Sequence, residues 1–202
     1  MLAKEIFRKI LHILAFAGLI AWLYALDDWR HSVLIAAGAI PVICPCLLLL
    51  SKIPGITEVF VARRRGEFAY SFFAYAMAYI VTSTVLWGFL GKRELVVASF
   101  FAWAPGDAAA ALIGKTFGEH KIGILKKKSA EGSGAMAFFS FFAVLCVLTY
   151  FNLYSSFWTI VISLITAICT TVAELLDEKG LDTFFCPVTA MVVLSLFELI
   201  LR

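Results

Sequence analysis

The chain has 202 residues, 62% of them hydrophobic and only 15% charged, with a mean hydropathy of +0.96, whereas soluble domains carry roughly 25% charged residues. Its 17 basic and 14 acidic side chains leave a net charge of +3, and the longest stretch without a strong apolar run, residues 115–133, is too short for a soluble domain of about 50 residues. This excludes a secreted enzyme, a nucleic-acid-binding domain and a disordered tail, and leaves an all-α, polytopic membrane protein, read as a single domain over residues 1–202.

A bilayer-spanning helix takes about 20 apolar residues. Runs of that kind lie near Ile10–Leu26, His31–Leu50, Phe68–Leu90, Leu95–Gly114, Gly134–Leu153, Phe157–Leu176 and Phe184–Leu201. The first, preceded by Lys4, Arg8 and Lys9, is longer than a signal-peptide core and has no small-x-small cleavage site, so it reads as a retained span. Pro41 and Pro45 predict a kink or break in the second run. In the fourth, Pro105-Gly106-Asp107 predicts irregular backbone at membrane depth, which survives only where protein or a wet cavity surrounds it. Glu198, near the end of the last run, reads as snorkelling to the interface.

With these spans most basic residues fall on one side: Lys4, Arg8, Lys9, Lys52, Arg63–Arg65, Lys115, Lys121, Lys126–Lys128 and Lys179. Only Arg30, Lys92, Arg93 and Arg202 fall on the other. The positive-inside rule then puts the N-terminus and residues 115–133 in the cytoplasm, where soluble nucleotides are. The five cysteines lie in apolar stretches, and Cys44-Pro45-Cys46 lacks the spacing of a redox or zinc motif.

Asp107 carries the first chemical signal. A carboxylate at a helix centre costs about 2.5–3.5 kcal/mol on insertion scales, so it needs a cation or a donor; as a bland device it would only bond one helix to another. Magnesium takes one or two carboxylates together with phosphates and water, and Asp107 suits that ion. Lys126–Lys128 alone would read as an anchor for anionic lipid heads. Taken with Asp107, Lys127 and Lys128 read as phosphate-facing cations, Ser129 and Ser133 as hydroxyl donors, and Gly132 and Gly134 as points of close backbone approach. Gly114-Lys115-Thr116 is not a P-loop, because Ala109 stands where its first glycine belongs and no strand precedes it.

These residues resemble the CTP-dependent lipid-alcohol kinases (dolichol or polyprenol kinase, phytol kinase, CTP-using diacylglycerol kinase), relatives of the phosphatidate cytidylyltransferases. Gly106-Asp107-Ala108-Ala109-Ala110, then Gly114 and Gly118, then Lys128-Ser129-Ala130-Glu131-Gly132-Ser133, match that family's central signature. Arg8-Lys9-Ile10-Leu11-His12 matches its N-terminal motif, and Glu174, Asp182 and Pro187 its C-terminal one, with Thr183 standing where the family has Asn. The resemblance implies CTP as phosphoryl donor, a divalent metal such as Mg2+ and a membrane lipid alcohol as acceptor. It implies catalytic roles for Asp107, Lys128, Glu174 and Asp182, with Asp107 and Glu174 as metal ligands. Gly106, Gly114, Lys127, Lys128, Ser129, Glu131, Gly132 and Ser133 would bind the nucleotide, and Arg8, Lys9 and His12 would be accessory. On a helix Glu5, Arg8 and His12 share one face. A homodimer stays open, as do a cytidylyltransferase, a small transporter and an inactive scaffold.

Overall fold

A computed structural model describes residues 2–53, 66–122, 128–177 and 181–202, with side chains from residue 10 onward. The chain is an all-α membrane bundle. In order, α1 is Leu2–Ala25, α2 Trp29–Leu50, α3 Glu67–Thr82, α4 Arg93–Phe101 and α5 Ala104–Thr116. A two-stranded antiparallel ribbon follows, β1 Lys121–Ile122 and β2 Lys128–Ser129, and then α6 Ala130–Tyr150, α7 Ser156–Leu176 and α8 Asp182–Ile200. Among the described residues, 6 helical segments are long and apolar enough to cross a membrane, and Ile10–Ala25 adds a shorter one. These correspond to the runs expected from the sequence.

Two local features differ from the sequence pattern. α2 stays helical through Pro41 and Pro45, so the second run is not broken; among the described residues it packs mainly against α3 and the segment after it. Conversely, α3 widens into a π-helix over Ser83–Phe89, which no proline or hydropathy signal announced. There the Thr82 hydroxyl donates to the Ala78 carbonyl and that of Thr84 to Ile80, each at 2.7 Å. Hydroxyls competing for helix carbonyls favour such distortions.

α4 lies at the centre, packed against α6, α8 and the π segment, with Leu95, Val96, Ala98 and Phe100 wholly buried. The expected break falls just before Pro105, at Ala102-Trp103. Pro105 lacks an N–H and is tolerated only in a first helical turn, which is where α5 places it. The break frees the Ala102 carbonyl, and the Ser140 hydroxyl of α6 donates to it at 2.6 Å. Gly106 permits that approach, since a Cβ there would collide with Ser140 Oγ and stand 3.1 Å from Met136.

Further along, α5 and α6 cross at glycines. A Cβ on Gly132 would lie 3.0 Å from the Ala110 carbonyl and 3.2 Å from Gly114 Cα. This is close small-residue packing of membrane helices. The end of the bundle away from the ribbon is tied differently. Glu198 of α8 is buried instead of snorkelling: Tyr154 Oη donates to its Oε2 at 2.7 Å, and Lys92 Nζ lies 3.5 Å from its Oε1. A buried carboxylate needs such partners, and they were 44 residues away for Tyr154.

Candidate functional site

A cavity of about 410 Å³ opens between α5, α6, α7 and the ribbon, within the usual size range of small-molecule sites. α5 contributes Asp107 and Gly114 to its wall, the ribbon Lys121, Lys128 and Ser129, α6 Gly132 and Ser133, and α7 Glu174. Residues distant in sequence thus meet on one cavity.

Each chemical group has a local reason for its place. Asp107 sits in the first turn of α5, where the helix dipole favours a carboxylate; only 8% of it is exposed. From α1, His12 Nδ1 lies 4.0 Å from Asp107 Oδ2, and its ring packs near Trp103 at 6.2 Å between centroids. Arg8 and Lys9 precede it on α1, with side chains outside the described set.

Lys128 Nζ stands 2.5 Å from Glu174 Oε1 and also donates to the Glu174 main-chain carbonyl. That carbonyl belongs to the last turn of α7, so the lysine satisfies an end that helices leave bare. The other carboxylate oxygen, Glu174 Oε2, is buried with no hydrogen-bond partner among the described residues.

Several expected residues serve the scaffold. Ser129 lines the cavity but its hydroxyl also caps α6, accepting from Gly132 N at 3.1 Å. Gly114 and Gly132 line the cavity where the helices cross, whereas Gly106 packs against α6 outside it. Glu131 turns away from the cavity wall and takes His120, whose Nδ1 is 2.6 Å and main-chain N 3.2 Å from Glu131 Oε1. Asp182 opens α8 outside the wall; its Oδ1 accepts from Thr183 N at 2.8 Å, and its own N donates to Asp177 Oδ2 at 2.8 Å. An acid at a helix start is favoured for that local reason alone. Lys127 lies outside the described residues. The sequence reading missed Lys115 and Lys121 as cavity residues; Lys121 had a signal, since it sits on the most polar connector.

Among the described residues no three His, Cys, Asp or Glu side chains converge on a metal position. Two carboxylates on one cavity, one with an unsatisfied buried oxygen, suit magnesium, which takes few protein ligands and completes its shell with phosphates and water.

No family model matches the chain, and no solved structure matches it. The chain is similar to the phytol kinase of Synechocystis sp., 27% identical over 198 residues that cover 94% of this chain and 78% of that protein. The aligned stretch therefore takes in nearly the whole bundle.

Proposed function

We propose that the chain is a lipid-alcohol kinase, transferring the γ-phosphoryl of CTP to the hydroxyl of a long-chain alcohol of polyprenol, dolichol or phytol type. The observation that carries this reading is the meeting of Asp107, Lys128 and Glu174 on one cavity at one end of a membrane bundle. The similarity to a phytol kinase supports the acceptor class, and the motif resemblance supports CTP. The excess of basic residues that the sequence assigns to the side of residues 115–133 supports a cytoplasmic opening, with the lipid entering sideways from the bilayer.

In this reading the alcohol oxygen attacks the γ-phosphorus and the bond to the β–γ bridging oxygen breaks. The electron pair leaves with CDP, and the hydroxyl proton passes to a carboxylate. Such transfer depends mainly on positioning and charge neutralisation. Magnesium, when bound with the nucleotide, neutralises phosphate charge, and Asp107 with Glu174 would hold it. Glu174 Oε2, the carboxylate oxygen without a partner among the described residues, would serve that ion; Asp182, whose Oδ1 accepts from Thr183 N, fixes the start of α8. Lys128 and the start of α6 from Ser129 to Ser133 hold the nucleotide, and the motif resemblance gives Lys127 the same role. His12 steadies Asp107 from α1, and Arg8 and Lys9 keep the accessory role that the motif resemblance implies.

The test is incubation of purified protein with magnesium, a panel of lipid alcohols, and CTP labelled either on the γ-phosphate or on cytidine. γ-Label in an alcohol, absent with Asp107→Asn, is the expected result. Cytidine label retained on phosphatidate would replace the kinase with a cytidylyltransferase.

A further inference from the structure

We propose that Lys121, with Lys115 lining the same cavity, is the cation that receives the polyphosphate chain of the nucleotide; this rests on the kinase reading above. Three lysines line the cavity, one each from α5, β1 and β2, and they are not equivalent. Lys128 already has its charge met by Glu174 at 2.5 Å and is bonded to the last turn of α7. Lys121 makes no ion pair with a described residue and is exposed at the cavity mouth.

The ribbon decides where Lys121 points. Lys121 pairs with Ser129 across the two strands, and directly opposed residues project from the same side. Ser129 is part of the buried cavity wall, so Lys121 stands over the same opening. Its backbone is pinned too. The neighbouring His120 is held by Glu131 through its ring and its amide, and its carbonyl accepts from Ala130 N at 2.9 Å. A lysine that served only as a topogenic charge would need no such anchoring. The first turn of α6, capped by Ser129, borders the same cavity, and a helix start favours an anion there. Lysine suits phosphate as a mobile point charge. Glu131 is thereby a positioning residue for Lys121, which accounts for its place in the motif although it lies off the cavity wall.

The ligand chemistry is a polyphosphate, and an anionic lipid headgroup would present similar oxygens. The experiment therefore measures three things on Lys121→Ala, Lys121→Arg and Lys115→Ala in detergent: KM and kcat for CTP, inhibition by inorganic tripolyphosphate, and activity in neutral against phosphatidylglycerol-containing nanodiscs. Loss of one charge-assisted contact predicts a rise of roughly 10-fold in both KM for CTP and Ki for tripolyphosphate in Lys121→Ala. Most of the loss falls in KM and not kcat, the arginine variant recovers most of it, and Lys115→Ala shifts both constants less. An active Lys121→Ala with unchanged CTP and tripolyphosphate constants overturns the proposal, as does a change confined to the response to anionic lipid. If the wild type phosphorylates no alcohol, the kinase reading fails by itself. Calorimetric binding of tripolyphosphate then decides the cradle: binding that weakens in Lys121→Ala sustains it, and equal or absent binding overturns it.

Discussion

The two ends of the bundle each bury a glutamate, and they have solved the problem in opposite ways. Glu198 and Glu174 are 6% and 8% exposed, and each faces one lysine. At Glu198 both carboxylate oxygens are taken, one by Tyr154 and one by Lys92. At Glu174 one oxygen is taken and the other is left bare beside a cavity of about 410 Å³. Burial of a charge is therefore no sign of function in itself. What marks Glu174 as part of a site is an unpartnered oxygen on a carboxylate that lines a cavity, because an unsatisfied buried oxygen is costly unless something fills it.

The sharpest way to break this contrast is at the cavity end. Asp107→Asn keeps the shape of the side chain but removes its charge, and should cut kcat/KM for alcohol phosphorylation by at least about 100-fold, with the helical circular-dichroism spectrum intact. Glu174→Gln should also lose activity heavily. Glu198→Ala, by contrast, should retain turnover but lose about 1–2 kcal/mol of stability, mainly because the Tyr154 hydroxyl loses its acceptor while the partly exposed Lys92 can turn to solvent; denaturant unfolding in detergent checks it. If Glu198→Ala abolished turnover in folded protein, the division of labour between the ends would be wrong.

A smaller effect sharpens the scaffold's share. Gly106→Ala puts a methyl into Ser140, which holds the Ala102 carbonyl at the break. Overpacking of this kind costs about 1–3 kcal/mol, and the melting temperature should fall while KM for nucleotide stays close to that of the wild type.

The smallest effect is a pH dependence at the far end. Burial, and then the Glu198 carboxylate, push the Tyr154 phenol above its ordinary value of 10.0. A raised folded pKa means that above about pH 10 the unfolded chain gives up this proton while the folded chain keeps it. The Tyr154 contribution is thus fully present below pH 10 and lost as pH rises beyond it. Tyr154→Phe should be less stable at neutral pH by about 1 kcal/mol, and its stability should fall less steeply than the wild type's above pH 10. Parallel curves would remove Tyr154 from the account.

The spans were legible because apolar length is a local signal, and so was the break, because Pro105 acts on its own neighbours. Asp107 and the Lys128–Ser133 stretch were legible as chemistry because polar groups in an apolar run demand a reason. What stayed hidden depends on contacts across the fold. Nothing near Glu198 in the sequence announces Tyr154, and nothing near Glu131 announces His120. Gly106 and Gly132 read equally well as room for a ligand or for a helix; Ser140 and the Ala110 carbonyl decide for the helix. Lys121 was passed over because a basic residue in a polar connector is usually topogenic, and only its pairing with Ser129 turns it to the cavity.

The measurement that tests the central claim most directly is transfer of γ-label from CTP to lipid alcohols by wild type, Glu174→Gln and Glu198→Gln, assayed side by side at matched folded protein. The account predicts label in the alcohol with wild type and with Glu198→Gln, and at most about 1% of that with Glu174→Gln. Equal labelling by Glu174→Gln and wild type, or no labelling by any of the three, would contradict it.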